Sequence, residues 1–220
     1  MSRIPYILSV VFHPILTVGY VTVLLFLASP VLAFQIGYGN NQLDLALISI
    51  FSLTILLPLV SILMMRGLGF VQSLEMNNKE ERVGPLLTSA IFYLWLFVNL
   101  RPVADLPPGL STFILGVLIA IFFSFFLNNF YKISLHGVAA GGFFIGLILI
   151  RLNTDISFLW VEMQNSIIYV SFDLVIMAVI VISGLIGTSR LAQQKHTEFQ
   201  LYSGYAIGSV AQLLAWLYTS

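Results

Sequence analysis

The sequence is dominated by long runs of apolar residues, and these runs limit the possible folds more than any motif does. Seven runs, separated by polar loops, cover residues 4–28, 43–65, 85–100, 110–127, 137–150, 167–187 and 201–218. A helix needs roughly 20 apolar residues to cross a bilayer, whereas a barrel strand needs about 10 of alternating polarity. The runs are continuous rather than alternating. We therefore expect an all-α integral membrane protein that forms one polytopic bundle of six or seven transmembrane helices.

Three of the runs leave alternatives open. The runs at 85–100 and 137–150 are short, so either could be re-entrant, but we prefer seven spanning helices. The first run is followed by small residues that resemble a signal-peptide cleavage site. It is too long for the apolar region of a signal peptide and contains His13-Pro14, so we expect it to remain as a helix of the mature protein.

The composition supports a membrane location and excludes several functional classes. The chain is 59% hydrophobic and 8% charged, with a mean hydropathy of +1.01, whereas a typical soluble chain is about a quarter charged. Nine cationic and nine acidic residues give zero net charge, so no basic field is available to attract nucleic acid. The chain has no cysteine, which excludes disulfides, thiolate metal sites and a cysteine nucleophile.

Seven spans would place most of the basic residues on one face. The amino terminus and the loops at 66–84, 128–136 and 188–200 would share that face, together with all three histidines. Seven of the nine cations would lie there: Arg3, Arg66, Lys79, Arg82, Lys132, Arg190 and Lys195. The positive-inside rule makes this face cytoplasmic, and we expect a bacterial inner-membrane location. The same cations could instead serve a ligand.

Two histidines stand immediately before predicted helices, next to cations. His136 ends the segment KISLH at residues 132–136, which begins with Lys132, and His196 ends SRLAQQKH at residues 189–196. Helix amino termini carry free N–H groups and a positive dipole end, and both favour anions. Arginine adds a planar fork that matches phosphate oxygens. This pattern predicts an oxyanion site, most plausibly for phosphate, at the membrane surface.

Glycines follow each of these histidines at a spacing that favours close helix packing. They are Gly137, Gly141, Gly142 and Gly146 in the fifth span, and Gly204 and Gly208 in the seventh. Small residues at such spacing let helices approach closely in lipid. We expect the fifth and seventh helices to pack against each other and to bring the two histidine loops together.

The same segments resemble the type-2 phosphatidic acid phosphatase superfamily. Ser189-Arg190 followed after five residues by His196 matches the start of that family's third motif, S-R-x5-H-x3-D. Ser134-Leu135-His136 is similar to its second motif, P-S-G-H, and residues 79–85 are the nearest candidate for the first, K-x6-R-P. The resemblance covers mainly residues 79–208 and is that of a divergent branch.

The resemblance implies a set of catalytic roles that needs no metal and no cofactor. His196 would attack phosphorus to form a phosphohistidine, and His136 would protonate the leaving oxygen. Arg190 would act with them, and the phosphoryl oxygens would be bound by Arg82, Lys79 and Ser134, to which we add the neighbouring Lys132. The cations would neutralise the transferring group.

One position departs from the family pattern. The family has an aspartate four residues after the nucleophile, whereas this chain has Gln200. An amide oxygen can orient the imidazole of His196 but supplies no charge. Asp173 inside the sixth span is the best compensating carboxylate, although a structural hydrogen bond explains it about as well. His13 is either a hydrogen-bonded histidine at a kink, or a residue that completes the site or guides the lipid chain between helices.

The sequence thus predicts a membrane-embedded lipid phosphate or diphosphate phosphatase whose substrate lies in the bilayer. Polyprenyl diphosphate, phosphatidate and phosphatidylglycerol phosphate are the candidate substrates. The alternative is a non-catalytic relative that binds or transports phospholipid and keeps the cationic pocket. A metal or haem protein that uses the three histidines is the weakest interpretation, because no two of them have helical ligand spacing.

Overall fold

The computed structural model of the chain describes residues 3–36, 41–73, 76, 78–103, 105–163 and 166–220. All of the candidate site residues lie within these ranges. The described part is a helical membrane bundle with a short β-hairpin, so the expected fold class is confirmed. The chain is a multi-pass membrane protein.

The first half of the chain forms two interrupted helical segments. The first consists of α1 (Arg3–Val11), a 3-10 turn (Pro14–Leu16) and α2 (Thr17–Leu27), and α3 (Pro30–Gln35) follows it. The second consists of α4 (Asn41–Phe51), a π-helical turn (Ser52–Leu56) and α5 (Leu57–Gly67). The single helix predicted for residues 4–28 is therefore broken. Pro14 lacks an N–H and forces the preceding His13 into an extended conformation, which ends α1.

The second half of the chain supplies longer helices and the hairpin. A 3-10 turn (Glu80–Arg82) leads into α6 (Val83–Leu100), which is followed by α7 (Leu110–Asn128) and α8 (Leu135–Asn153). Strands β1 (Phe158–Met163) and β2 (Ser166–Ser171) then pair in antiparallel register before α9 (Phe172–Ala192) and α10 (Glu198–Thr219). The two runs predicted to be short are full-length helices, α6 and α8.

The predicted start of the sixth span is wrong. Residues 167–171 belong to β2, and the helix begins only at Phe172. This stretch reads Ile-Ile-Tyr-Val-Ser, and a short apolar run of β-branched and aromatic residues fits a strand as well as a buried helix.

Six helical segments in the described residues are long and apolar enough to cross a membrane. They are Pro5–Leu27, Asn41–Gly67, Glu80–Leu100, Leu110–Asn128, Leu135–Asn153 and Phe172–Ala192. The predicted seventh span, α10, has 22 residues but is less apolar, because it contains Gln200, Gln212 and several small polar residues. Its buried face contacts α7 and α8, where Gln212 Nε2 donates to Phe113 O at 3.2 Å.

The outer surface of the bundle is apolar, as expected for contact with lipid. Trp95 on α6, Val181 on α9 and Leu217 on α10 are among many large apolar side chains that point outward. A soluble monomer rarely exposes apolar patches of such extent.

The bundle has two chemically different ends. We call the end at which α6, α8 and α10 begin and α9 finishes the basic end, and the opposite end the far end. The ion pair Arg151–Asp173 and the hydrogen bond between Thr112 and Thr219 lie at the far end.

Close contact between α8 and α10 aligns the loops at the basic end. A Cβ added at Gly137 would lie 2.9 Å from Leu201 O, and one added at Gly204 would lie 2.7 Å from Ser134 O. The helices are therefore in backbone contact at these glycines, which confirms the packing expected from their spacing.

Candidate functional site

The loop that precedes α8 is held in place by Arg82, at the start of α6. The Arg82 side chain is only 4% exposed. Its Nη1 donates to Ile133 O at 2.6 Å, and its Nε donates to Met76 O at 3.0 Å. Hydrogen bonds from a charged donor contribute more than neutral ones. Arg82 thus ties two loops together at the basic end.

Lys79 contributes to the same loop contact rather than reaching the histidines. Its Nζ donates to Asn129 O at 2.9 Å, and Asn128 Nδ2 donates back to Lys79 O at 2.7 Å. The ammonium of Lys79 thus joins the turn before α6 to the end of α7, and its phosphate-binding role stays a prediction.

Ser134 begins α8 and also contacts α10. Its Oγ accepts from Gly137 N–H at 3.3 Å as the helix cap, and its backbone N–H donates to Gln200 O at 3.2 Å. The hydroxyl acts as an acceptor in the cap, so its own proton can be donated to another group. The two predicted site loops are therefore in direct contact.

The geometry around His196 fixes which ring nitrogen carries its proton. Gln200 Oε1 accepts from Thr197 N–H at 3.4 Å, so this amide atom must be the oxygen. His196 Nδ1 lies 3.1 Å from the same oxygen and must therefore donate to it. In the neutral ring the lone pair is then on Nε2, which is the tautomer that a histidine nucleophile requires.

Burial keeps His196 in its neutral form at physiological pH. The side chain is 7% exposed, and burial lowers the pKa of His196 to about 4. The hydrogen bond to Gln200 opposes this effect, whereas the charges of Arg82, Arg190 and Lys132 add to it. The same three cations would attract an anion to the ring. Lys132 also donates to Lys195 O at 3.4 Å, which links the loop before α8 to the loop before α10.

Helix α1 packs against the end of α9 through Ser9, a residue that sequence reasoning missed. Ser9 Oγ accepts from Arg190 Nη1 at 3.3 Å and from Gln193 Nε2 at 3.4 Å. Ser189 Oγ donates to Pro5 O at 3.1 Å. A single serine in an apolar helix carries no pattern, so only the fold shows that it orients Arg190.

His13 and His136 meet beside this contact. Their ring centroids are 5.6 Å apart, with the planes at 85°. His136 Nε2 lies 3.1 Å from Ser9 O, and His13 Nδ1 accepts from Ile15 N–H at 3.3 Å as the cap of the turn that follows. His13 is therefore both the capping residue at a helix break and a neighbour of the site.

Arg190 is the common neighbour of all three histidines. Its charge acts on His13, His136 and His196, and also on Arg82. The charges of both other histidines also act on His136. The sequence placed these residues on four separate segments, and the fold brings them into one cluster, which we call the histidine–arginine cluster: His13, Arg82, Lys132, Ser134, His136, Arg190, His196 and Gln200.

Asp173 lies outside this cluster, so the interpretation of Asp173 as the compensating carboxylate is wrong. It is in the first turn of α9, its side chain is 60% exposed, and it accepts from Arg151 Nε at 2.8 Å. Arg190 follows 17 residues later on the same helix, about 25 Å away at the usual rise per residue. The order of the segments already indicated this separation, because Asp173 lies near the start of the sixth span and the basic loop at 188–200 follows its end.

The arrangement can bind an oxyanion and present an unprotonated imidazole nitrogen to it. Among the described residues, no group of three His, Asp or Glu side chains is placed to hold a metal ion. Comparison of the chain with protein-family models, with curated proteins and with solved structures finds no match in any of the three. What the cluster does must therefore be inferred from its geometry and from the motif resemblance.

Proposed function

We propose that the protein is a membrane-embedded phosphatase of lipid phosphates or diphosphates that works without a metal through a phosphohistidine. The observation that carries the proposal is the geometry of His196, whose Nδ1 donates to Gln200 Oε1 at 3.1 Å and leaves the Nε2 lone pair free of that contact. The charges of three cations act on the same ring. A neutral imidazole beside an anion-binding cluster is suited to nucleophilic attack on phosphorus.

The roles of the other residues follow from their positions. Arg190 and Lys132 neutralise charge on the transferring phosphoryl group, and Ser134 donates its hydroxyl proton to a phosphoryl oxygen. Arg82 adds its charge while it fixes the loop that leads to Ser134 and to the helix that carries His136. The motif resemblance supports His196 as the nucleophile and His136 as the acid that protonates the leaving oxygen.

A lipid substrate is supported by the position of the cluster at one end of a membrane bundle. The side of α1 that faces away from the cluster exposes Tyr6, Ile7 and Val10. A lipid could place its headgroup at the basic end while its tail remains in the bilayer, because extracting the tail would cost about 0.8 kcal/mol per CH2. The cations at this end favour a cytoplasmic orientation in a bacterial inner membrane.

A second candidate function is a non-catalytic protein that binds or transports phospholipid. Gln200 favours it, because the amide orients His196 without supplying the negative charge that would stabilise a positively charged phosphohistidine. Such a protein would keep the cationic cluster and its affinity for a phosphate headgroup without turnover.

The test is phosphate release by purified protein in detergent with EDTA, on a panel of lipid phosphates and diphosphates. We expect release that His196→Ala abolishes. His196→Asn is the matched variant, because asparagine keeps a donor for Gln200 but has no nucleophilic nitrogen, and it should also be inactive. No release from any lipid by folded wild-type protein would refute the phosphatase and favour lipid binding, which is measured with the same lipids.

A further inference from the structure

The β-hairpin has no part in the proposed phosphatase and lies at the far end of the bundle. It joins α8 to α9, and Asp173, which pairs with Arg151, follows it in the first turn of α9. Charged side chains are costly in the hydrocarbon core of a bilayer, so this ion pair marks the level at which that core ends. The base of the hairpin is therefore at the boundary between hydrocarbon and water.

The strand register gives the hairpin an inner and an outer face. Paired residues share a face, so Leu159 and Val170 lie on one face, and Trp160 and Tyr169 on the other. Leu159 is buried and Val170 packs against the same apolar core. On the outer face Phe158, Trp160 and Tyr169 are between 40% and 55% exposed. An antiparallel sheet with one face in water carries polar residues on that face, whereas this one carries aromatic residues.

Near its turn the hairpin is apolar on both faces. Ile167 and Ile168 are neighbours in β2, so their side chains point to opposite faces, and they are 49% and 45% exposed. Glu162 is the one charged residue in the two strands. Full contact with water would leave large apolar side chains exposed on both sides, which the hydrophobic effect disfavours.

The backbone of the hairpin excludes the hydrocarbon core as its location. In the described part of the chain the sheet has two strands, so each strand has an outer edge that faces no other strand. Open sheet edges do not occur in hydrocarbon, because their N–H and C=O groups would have no partner there. The apolar faces thus disfavour water, and the open edges disfavour hydrocarbon. The membrane interface satisfies both, since water and headgroups can bond to the edges while acyl chains cover the faces.

We propose that the hairpin is a lipid-binding surface that lies in the headgroup region of the leaflet at the far end and contacts the upper acyl chains. The proposal does not depend on the phosphatase function. Trp160 and Tyr169 are in edge contact, with ring centroids 4.9 Å apart. Tryptophan and tyrosine are enriched at this depth, where the ring meets acyl chains and its N–H or O–H group reaches water.

A lipid layer is favoured over another protein as the partner because the hairpin adjoins surfaces of the bundle that face lipid. The exposed side chains of Leu174 and Met177 follow it in α9. On the other side β1 contacts α2, on which Val23 is exposed. The apolar surface of the hairpin is thus continuous with that of the spans.

The test is the fluorescence of Trp160 in phosphatidylcholine vesicles. The chain has three tryptophans, so Trp95→Phe and Trp216→Phe together leave Trp160 as the sole emitter. The acyl chains carry bromine either near the headgroup or near the chain end, and iodide on both sides of the membrane is the quencher in water. We expect the shallow bromine to quench roughly twofold more than the deep bromine. Iodide should quench less than it does in the unfolded protein.

Three outcomes would overturn the proposal. Quenching by iodide without quenching by bromine would show that the hairpin stands in water, and stronger quenching by the deep bromine would place it in hydrocarbon. Protection from both quenchers would show that protein, such as a second copy of the chain, covers it.

A second measurement leaves all three tryptophans in place. The chain has no cysteine, so one spin label can be attached at Ile167→Cys or at Ile168→Cys, on opposite faces of β2. Both labels should be more accessible to oxygen, which concentrates in lipid, than to a water-soluble nickel complex. Asp155→Cys, at an exposed position before β1, is the reference at the same end and should show the reverse. Labels in β2 that behave like the label at position 155 would refute the interfacial location.

Discussion

Replacement of Gln200 by glutamate tests the proposed role of His196 most directly. Glutamate has the same length, so its carboxylate can accept from His196 Nδ1 and from Thr197 N–H as the amide oxygen does. It also keeps the capping box at the start of α10, where Thr197 Oγ1 accepts from the residue-200 N–H at 3.3 Å. The substitution therefore adds one negative charge beside the imidazole and changes little else.

The expected effect is a rise in the pKa of His196. In the wild type, burial and the three nearby cations hold this pKa at about 4. A carboxylate in contact with a titrating group shifts its pKa by about 1 to 3, so we expect a value of about 5 to 7 in Gln200→Glu. Each unit corresponds to about 1.4 kcal/mol of added preference for the imidazolium. The same preference stabilises the positively charged phosphohistidine.

The assays are the pH dependence of kcat/KM and an NMR titration of the histidines. In the proposed mechanism His196 attacks in its neutral form, so activity should fall as the pH drops through its pKa. The acid limb should therefore move from near pH 4 upward by about 1 to 3 pH units, and the turnover on the plateau should rise. With three histidines in the chain, the His196 resonance can be assigned by single substitution.

An acid limb and a His196 resonance that titrate as in the wild type would refute the reasoning. Such a result would mean that residue 200 does not contact the ring in the working protein. A shifted resonance without any turnover would confirm the contact between residue 200 and the ring but would refute the catalytic role of His196.

Two further predictions concern the packing that builds the cluster. Arg82→Lys keeps the charge but cannot donate to Ile133 O and Met76 O at the same time. It should destabilise the protein by about 1.5 to 3 kcal/mol, measured by thermal unfolding in detergent. It should also lower kcat/KM for phosphate release more than tenfold. Gly204→Ala would place a Cβ 2.7 Å from Ser134 O and should lower the free energy of unfolding by about 1 to 3 kcal/mol. The control is Gly184→Ala, whose Cβ would have no atom within 4 Å and which should leave the stability unchanged. Equal melting temperatures for the two variants would contradict the close packing of α8 and α10.

The fold class could be predicted from the sequence because a bilayer selects long apolar helices so strongly. The glycine spacing also predicted that α8 and α10 meet, because small residues on the facing sides of two helices allow their backbones to come into contact. The hairpin could not be predicted in the same way. Residues 167–170 are β-branched or aromatic, and only the pairing of residues 166–171 with residues 158–163 shows that they form a strand.

The sequence predicted those residues of the candidate site that are charged or titratable and lie next to the end of a predicted helix. His136, Arg190 and His196 are polar residues at the ends of apolar runs, which is why the sequence drew attention to them. Ser9 shows the limit of this approach. Whether an isolated polar residue on an apolar helix reaches a site depends on which helices pack beside it, and the sequence of one helix does not contain that information.

The residue at position 200 links the electrostatics of His196 to its proposed role. The charges of Arg82, Arg190 and Lys132 all act on His196, and the charge of Glu81 acts on Arg82. The amide oxygen of Gln200 accepts from the His196 ring without adding a negative charge beside it. A carboxylate at this position would support the positively charged phosphohistidine, but it would also weaken the attraction of the site for an anionic substrate. Gln200 is therefore consistent with a site that favours the binding of an anion over the stabilisation of a positively charged intermediate.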